Sequence, residues 1–181
     1  MIKINPKGVS HMNKGLIGVS VSVGILAGLW ILFEVIYGGL GMEEPLDLKG
    51  IGTAGFLGWA TFYAAGGEKS GFVSGFFSNL TGILWGIVIV WVWTLLGGVS
   101  NYLGAFVGVA IGAGGMCFQA HIKQLGFIPG AFIGCSTFFA LGAAISLSVI
   151  LPTALGLIIG LSLGWLSQAW GGKITALLQS E

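Results

Sequence analysis

The sequence predicts an all-α polytopic membrane protein of about six transmembrane helices, arranged as two inverted-topology repeats of three helices. Hydrophobic residue types make up 55% of the 181 residues and charged types only 7%, whereas soluble domains carry about 25% charged residues. Because so few charges cannot cover the surface of a water-exposed globule, a soluble globular protein is excluded. The net charge of +1 gives no electrostatic reason to expect a nucleic-acid partner.

Six apolar runs are candidates for spanning helices, each of which needs about 20 mostly apolar residues. In order they are residues 16–37, 50–67, 72–96, 102–120, 126–143 and 151–170. The second and fifth runs are short and rich in glycine, so each is expected to be a short, broken or re-entrant helix. The uncharged stretch 126–170 is expected to turn near 144–152, with Pro152 opening the sixth helix, because one continuous helix would far exceed the bilayer core.

The apolar chain is expected to form a single transmembrane domain over residues 12–173. One repeat covers about 12–97, the other about 98–173, and residues 174–181 form a C-terminal tail. Residues 1–11 lack a helical pattern and are either a leader derived from cloning or a natural tail. The loop between the first two runs is polar. It carries Glu43, Glu44, Pro45 and Asp47.

All seven basic residues are lysine, and their distribution among the loops predicts the orientation of the helices. With the N-terminus inside, every lysine except Lys49 lies on the cytoplasmic side. Because cytoplasmic loops carry an excess of positive charge, both termini are predicted to be cytoplasmic.

An internal match relates the second and fifth runs at an offset of 76 residues. Residues 55–64 (GFLGWATFYA) align with 131–140 (AFIGCSTFFA), with identical Phe, Gly, Thr, Phe and Ala. The following runs match more loosely, with 82–86 opposite 156–160 and Asn79 opposite Thr153. Chance similarity between glycine-rich runs is the alternative. A unit of three spans would insert its second copy in the opposite sense, as in many channels and secondary transporters.

Four segments carry a resemblance to a known family: residues 24–30 (GILAGLW), 54–64, 127–134 (FIPGAFIG) and 151–160. Over roughly residues 12–170 the chain resembles the DUF1097 family of bacterial inner-membrane proteins (YcdZ-like), whose function is unassigned. The resemblance implies a location in the bacterial inner membrane and favours Met12 as the native start. It implies no catalytic or binding residues.

Glu34 is the only acidic residue inside an apolar run. An ionisable group at that depth is costly and indicates a functional site by default, such as an ion site or a vestibule. The alternative is an interfacial side chain, because Glu34 lies within about one helical turn of the outer end.

A candidate solute path is expected at the repeat interface, near the membrane midplane. It comprises Phe56, Thr61, Phe62, Asn79, Phe132, Thr137 and Phe138. The two threonines occupy repeat-related positions and either bind a polar solute or bond their own helix backbone. Asn79 needs a polar partner within lipid and is expected to face another helix or the path. The phenylalanines either form a constriction or simply pack and face lipid.

Glycines that recur every four residues predict close helix packing or a contact between protomers. The rows are Gly24 and Gly28; Gly104, Gly108 and Gly112; and Gly156, Gly160 and Gly164. Cys117 and Cys135 both lie in apolar runs, so a disulfide is not expected.

The sequence predicts no enzyme, because the signatures of zinc proteases, serine hydrolases, dithiol redox proteins and P-loop proteins are absent. No cofactor is predicted. No metal site is predicted either, since His11 and His121 cannot supply one together.

The expected function is a channel or facilitator for a small, uncharged polar solute such as urea or ammonia. The first alternative is a proton- or cation-coupled transporter that uses Glu34. The second is a scaffold or accessory subunit that transports nothing. The expected partners are the lipid bilayer, the solute and further copies of the chain, with a homotrimer as one plausible assembly.

Overall fold

The structure is a computed structural model that describes residues 13–41, 43 and 47–180. Its helices are α1 (Lys14–Gly39), α2 (Ile51–Ala64), α3 (Glu68–Gly97), α4 (Asn101–Phe118), α5 (Ile128–Ala140) and α6 (Leu147–Gln179). Two short 3-10 turns, Gln119–His121 and Lys123–Leu125, connect α4 to α5. The described part of the chain contains no strand, which confirms the all-α prediction. The predicted leader (residues 1–11), Glu44 and Pro45 lie outside the described residues.

Helix length divides the six described helices into two classes. By length and composition, α1, α3, α4 and α6 are long and apolar enough to cross a membrane. Helices α2 and α5 have 14 and 13 residues, so each is only about 20 Å long. The expectation that the second and fifth helices are short is confirmed. Neither reaches the roughly 30 Å thickness of a bilayer core.

The sixth helix begins earlier than predicted. It begins at Leu147, and Pro152 lies inside it rather than at its first turn. Pro152 has no N–H, so α6 lacks the backbone hydrogen bond that this position would donate to the carbonyl four residues earlier. The apolar residues that precede Pro152 extend the helix by one turn.

The short helix α2 lies along the long helix α6. Ile51 at the start of α2 meets Gly156, and Phe62 near its end meets Gly164, so the two helices run in the same direction. By contrast, α1 runs antiparallel to α6. The Ser22 hydroxyl donates to the Ser167 carbonyl at 2.8 Å, and the Lys14 ammonium donates to a carbonyl near the end of α6.

The packing of α5 on α3 repeats the packing of α2 on α6, position by position. The paired contacts are Gly58 with Leu157 and Gly134 with Asn79; Gly160 with Gly55 and Gly82 with Ala131; Gly164 with Phe62 and Gly86 with Phe138. These contacts relate α2 to α5 by 76 residues, as the sequence predicted. They relate α3 to α6 by 78 residues, so the predicted match of 82–86 with 156–160 is wrong by one helical turn.

The predicted glycine rows differ in what they contact. Cβ atoms at Gly104 and Gly108 would press on the backbone of α3, and one at Gly160 would overlap a carbonyl of α2. These rows therefore allow helices to approach closely. Gly24 and Gly28 are exposed, and a Cβ at either would meet nothing within 4 Å.

Candidate functional site

Two polar side chains meet in the interior, where α2 contacts α3. Thr61 and Asn79 are both fully buried. The Thr61 hydroxyl lies 3.2 Å from Asn79 Oδ1 and 2.9 Å from the carbonyl oxygen of Leu57. A hydroxyl has a single proton, so Thr61 donates to only one of these oxygens at a time.

The amide of Asn79 has unused hydrogen-bonding capacity. Its Nδ2 has no partner among the described residues, and neither does the hydroxyl of the neighbouring Ser78. If the amide turns so that Nδ2 faces Thr61, its oxygen takes the unpaired place instead. An unpaired buried polar group costs about 1–3 kcal/mol. The arrangement therefore offers hydrogen bonds to a water molecule or a small polar solute.

Glycines bring these polar groups into the interior. The backbone of Asn79 packs directly on Gly134, where a Cβ would overlap the Asn79 carbonyl oxygen. On the preceding turn of α3, a Cβ at Gly75 would crowd Leu161 and Thr61. Small residues on both sides thus hold the amide between α2 and α5 rather than in lipid.

The repeat-related threonine of α5 has no comparable partner. Thr137 is fully buried, but its hydroxyl donates to the Ile133 carbonyl of its own helix at 2.7 Å. The position equivalent to Asn79 is Leu157. Of the two alternatives for the paired threonines, backbone bonding describes Thr137, whereas Thr61 also reaches a side-chain amide.

The four candidate phenylalanines lie in two environments. Phe62 and Phe138 are fully buried and fill the spaces beside Gly164 and Gly86. Phe56 and Phe132 are each 40% exposed. Phe56 stacks on Trp59, with 6.3 Å between ring centroids.

An open cavity of about 380 Å³ lies where the start of α2 meets the end of α5 and the start of α6. Asp47, Lys49, Thr53 and Ser148 give it polar walls. We call it the mouth cavity. Asp47 and Lys49 belong to the polar loop predicted between the first two runs, whereas the sequence does not predict Thr53 and Ser148 as cavity residues.

An apolar cluster lies between the mouth cavity and the Thr61–Asn79 pair. It is built from Ile83, Phe138, Val149 and Leu157, with Leu57 and Leu141 packed against it. Val149 and Leu141 also line the mouth cavity. Along α2, the cavity residue Thr53, the cluster residue Leu57 and the buried Thr61 follow at intervals of four, so they share one helix face. The apolar cluster thus separates the mouth cavity from the polar pair.

Glu34 holds the start of α2. Its carboxylate accepts a hydrogen bond from the Gly52 N–H at 3.0 Å, and the Trp30 indole donates to the Gly52 carbonyl at 3.1 Å. The N-cap residue of α2 is Gly50, which has no side chain to cap the helix. Glu34 therefore supplies that cap from α1, next to the positive end of the helix dipole.

Glu34 also lines a smaller cavity of about 150 Å³. Asp47, Lys49 and Gly50 line both this cavity and the mouth cavity. Glu34 therefore lies at the rim of the mouth, with its carboxylate 3.0 Å from the Gly52 N–H at the start of α2, and not beside the buried amide.

The described residues bring together no cluster of three or more His, Cys, Asp and Glu side chains that could hold a metal. Cys117 is exposed and Cys135 is buried, and both are free thiols. Sequence reasoning missed Ser78, whose only signal was its position beside Asn79. It also missed Thr53, which the four-residue spacing to Thr61 could have indicated.

Comparison with known proteins places these features in a family. Residues 20–172 match the family described as "Protein of unknown function (DUF1097)". The chain is 32% identical to "Uncharacterized protein YahC" of Escherichia coli (strain K12), over 89% of this chain and 93% of that protein. It is 35% identical to "Inner membrane protein YcdZ" of Escherichia coli (strain K12), over 80% of this chain and 81% of that protein.

"Inner membrane protein YcdZ" of Salmonella typhimurium (strain LT2) is 34% identical, over 80% of this chain and 82% of that protein. No solved structure matches the chain. The resemblance drawn from the sequence is confirmed, and the long apolar helices agree with the membrane location in the relatives' names. The chain belongs to the DUF1097 family.

Proposed function

We propose that the protein is a channel or facilitator for a small, uncharged polar solute such as urea or ammonia. The observation that carries the proposal is the buried Asn79 amide, which contacts Thr61 and keeps unused hydrogen-bonding capacity. Groups of this kind can replace part of the hydration that a neutral solute loses in the membrane. The residues in contact with the pair carry no charge, which favours a neutral solute over an ion.

The proposed path begins at the mouth cavity and continues past the apolar cluster to Thr61 and Asn79. The mouth offers the hydroxyls of Thr53 and Ser148 and the charges of Asp47 and Lys49. We assign the cluster around Leu57 and Leu157 as the gate, because packed apolar side chains block a hydrated solute. Passage then requires these side chains to move apart.

Two further features belong to the proposal: an inverted repeat and cytoplasmic termini. The matched contacts of α2 on α6 and of α5 on α3 support the repeat. Phe72 of α3 packs against Trp165 of α6, and Gly75 against Leu161, so the two related helices run in opposite directions. The placement of all lysines except Lys49 supports cytoplasmic termini. We also expect a homo-oligomer, with a trimer as one plausible assembly.

Solute flux in proteoliposomes tests the proposal. Stopped-flow light scattering would compare urea, ammonia, glycerol, acetate and water with protein-free liposomes. Selective flux of one neutral solute is expected. A monodisperse protein that passes none of these solutes would overturn the proposal and favour the accessory-subunit alternative.

The second candidate is a proton-coupled transporter, and the place of Glu34 at the rim of the mouth favours it. A Glu34→Gln variant separates the two functions, because glutamine still accepts a hydrogen bond from Gly52 but cannot exchange a proton near neutral pH. Flux through a facilitator should keep its rate and pH dependence in this variant. Loss of pH-driven uptake, with passive exchange intact, would favour the coupled mechanism.

A further inference from the structure

A second cavity, independent of the proposed path, lies on the outer face of α3 and the end of α4. It measures about 400 Å³, within the usual range for ligand pockets. Leu84, Val88, Phe118, Ile122 and Leu125 line it with apolar side chains. We call it the α3–α4 groove. Leu84, Phe118 and Ile122 are more than half exposed, so the groove opens outward from the bundle.

The lack of a side chain at Gly115 allows Trp85 to form one wall of the groove. A Cβ at Gly115 would overlap the ring of Trp85, so the indole packs directly on the α4 backbone. The Trp85 N–H donates to Gln119 Oε1 at 2.8 Å, which holds the Gln119 amide against the wall of the groove. Gln119 is 8% exposed, and its Nε2 has no acceptor among the described residues. The groove therefore combines apolar walls with one buried, unpaired donor.

An exposed lysine adjoins the groove residues in the sequence. Lys123 is exposed and lies between Ile122 and Leu125, which both line the groove. The sequence from residue 69 to residue 180 contains no aspartate or glutamate, so no acidic residue in that stretch neutralises Lys123. The groove adjoins the polar turns after α4, at the level where a membrane helix leaves the apolar layer. Phospholipid ester and phosphate groups lie at this boundary.

We propose that the α3–α4 groove binds one acyl chain of an anionic phospholipid. The acyl chain lies along Leu84 and Val88, and the lipid phosphate faces Lys123. The Gln119 amide, after a small shift of its side chain, donates to an ester carbonyl. A second copy docked by a two-fold axis is the less favourable occupant, because it would bring two Lys123 side chains together with no acidic partner from this region.

Native mass spectrometry of the full-length, delipidated protein tests the assignment. The probes are phosphatidylglycerol and phosphatidylcholine with identical acyl chains. The wild-type protein should retain one phosphatidylglycerol per chain, with about fivefold preference over phosphatidylcholine for one interfacial lysine. Lys123→Gln should remove this preference. Lys173→Gln, which removes an exposed lysine elsewhere, should keep it.

A second pair of variants tests the groove itself. Val88→Trp fills the groove and should abolish retention of both lipids, whereas Val109→Trp, at an exposed site outside it, should not. Equal retention of the two lipids by the wild-type protein would overturn the proposal. So would unchanged retention in Lys123→Gln or Val88→Trp, or a dimer that Val88→Trp converts to monomers.

Discussion

Helices α2 and α5 occupy equivalent positions in the bundle, yet the Thr61 hydroxyl of α2 contacts a polar side chain of α3, whereas the Thr137 hydroxyl of α5 bonds its own helix backbone. Gly58 packs on the backbone of Leu157, and Gly134 packs on the backbone of Asn79. The backbone contacts match, but the side chains at the matched positions are an apolar leucine and a polar amide. Packing in the two halves is thus nearly symmetric, whereas the buried amide is present in only one half.

The difference also makes the interior chemically unequal along the proposed path. Leu157 belongs to the apolar cluster that adjoins the mouth cavity. Asn79 lies beyond that cluster, beside Thr61. A solute entering from the mouth would therefore meet apolar side chains first and hydrogen-bonding groups second. Two identical halves would place a second amide at position 157, within the cluster.

The largest expected effect tests the symmetric part of the comparison. Gly58→Ala and Gly134→Ala each place a Cβ on a carbonyl oxygen of a neighbouring helix, so the helices must separate. Each variant should lose about 3 kcal/mol of stability. Thermal unfolding followed by size-exclusion chromatography would measure the loss. Gly24→Ala and Gly28→Ala are the controls, since a Cβ there contacts nothing within 4 Å, and equal Tm values for all four variants would contradict the contact pattern.

Substitutions at the matched positions 157 and 79 should lower the free energy of unfolding by different amounts. Leu157→Asn buries an amide within an apolar cluster and should cost about 2 kcal/mol or more. Asn79→Ala removes one hydrogen bond together with an unpaired donor, so its net cost should stay within about 1 kcal/mol. Thermal unfolding of both variants measures the difference. A greater loss for Asn79→Ala would show that the amide is a structural group with all its partners satisfied.

The paired threonines separate a solute-binding hydroxyl from a structural one. Thr61→Val removes a hydroxyl that contacts Asn79 and should lower solute flux about fivefold, which corresponds to about 1 kcal/mol. Thr137→Val removes only a bond to its own helix backbone, so its flux should stay within about twofold of the wild type. Stopped-flow rates per reconstituted protein would measure both. Equal losses would mean that the two halves contribute equally to the path.

The smallest expected effect concerns the cap on α2, which is provided from another helix. Glu34→Leu removes the acceptor for the Gly52 N–H and should cost roughly 0.5 to 1 kcal/mol. Glu34→Gln keeps an acceptor and should cost less. Unfolding midpoints of the two variants in one detergent would rank them, and an inverted order would mean that Glu34 does not act as a cap.

The sequence was sufficient to predict the helices but not their contacts. Apolar runs gave six helices with a short second and fifth, and Asn13 caps α1 three residues before the predicted first run. The register between α3 and α6 was wrong by one turn, because glycines at 156, 160 and 164 repeat every four residues. A shift of one turn in such a row aligns glycine with glycine, so only the contacts with α2 and α5 identify the match.

The sequence also could not predict which side chains on different helices contact each other. Glu34 was recognised as unusual, but its partner Gly52 belongs to another helix. Phe56 and Phe62 lie on one apolar helix with the same residue type, and only packing separates the exposed ring from the buried one. Asn79 was predicted to need a polar partner. Its contact with Thr61 depends on how α2 and α3 meet.

Flux through the Asn79→Ala variant, measured in proteoliposomes beside the wild type and Thr137→Val, tests the proposed site most directly. If the buried amide binds the solute, Asn79→Ala should lose at least tenfold in rate while its unfolding midpoint stays close to that of the wild type. Thr137→Val should retain the wild-type rate. Wild-type flux through a folded Asn79→Ala protein would contradict the assignment of the Thr61–Asn79 pair as the solute site.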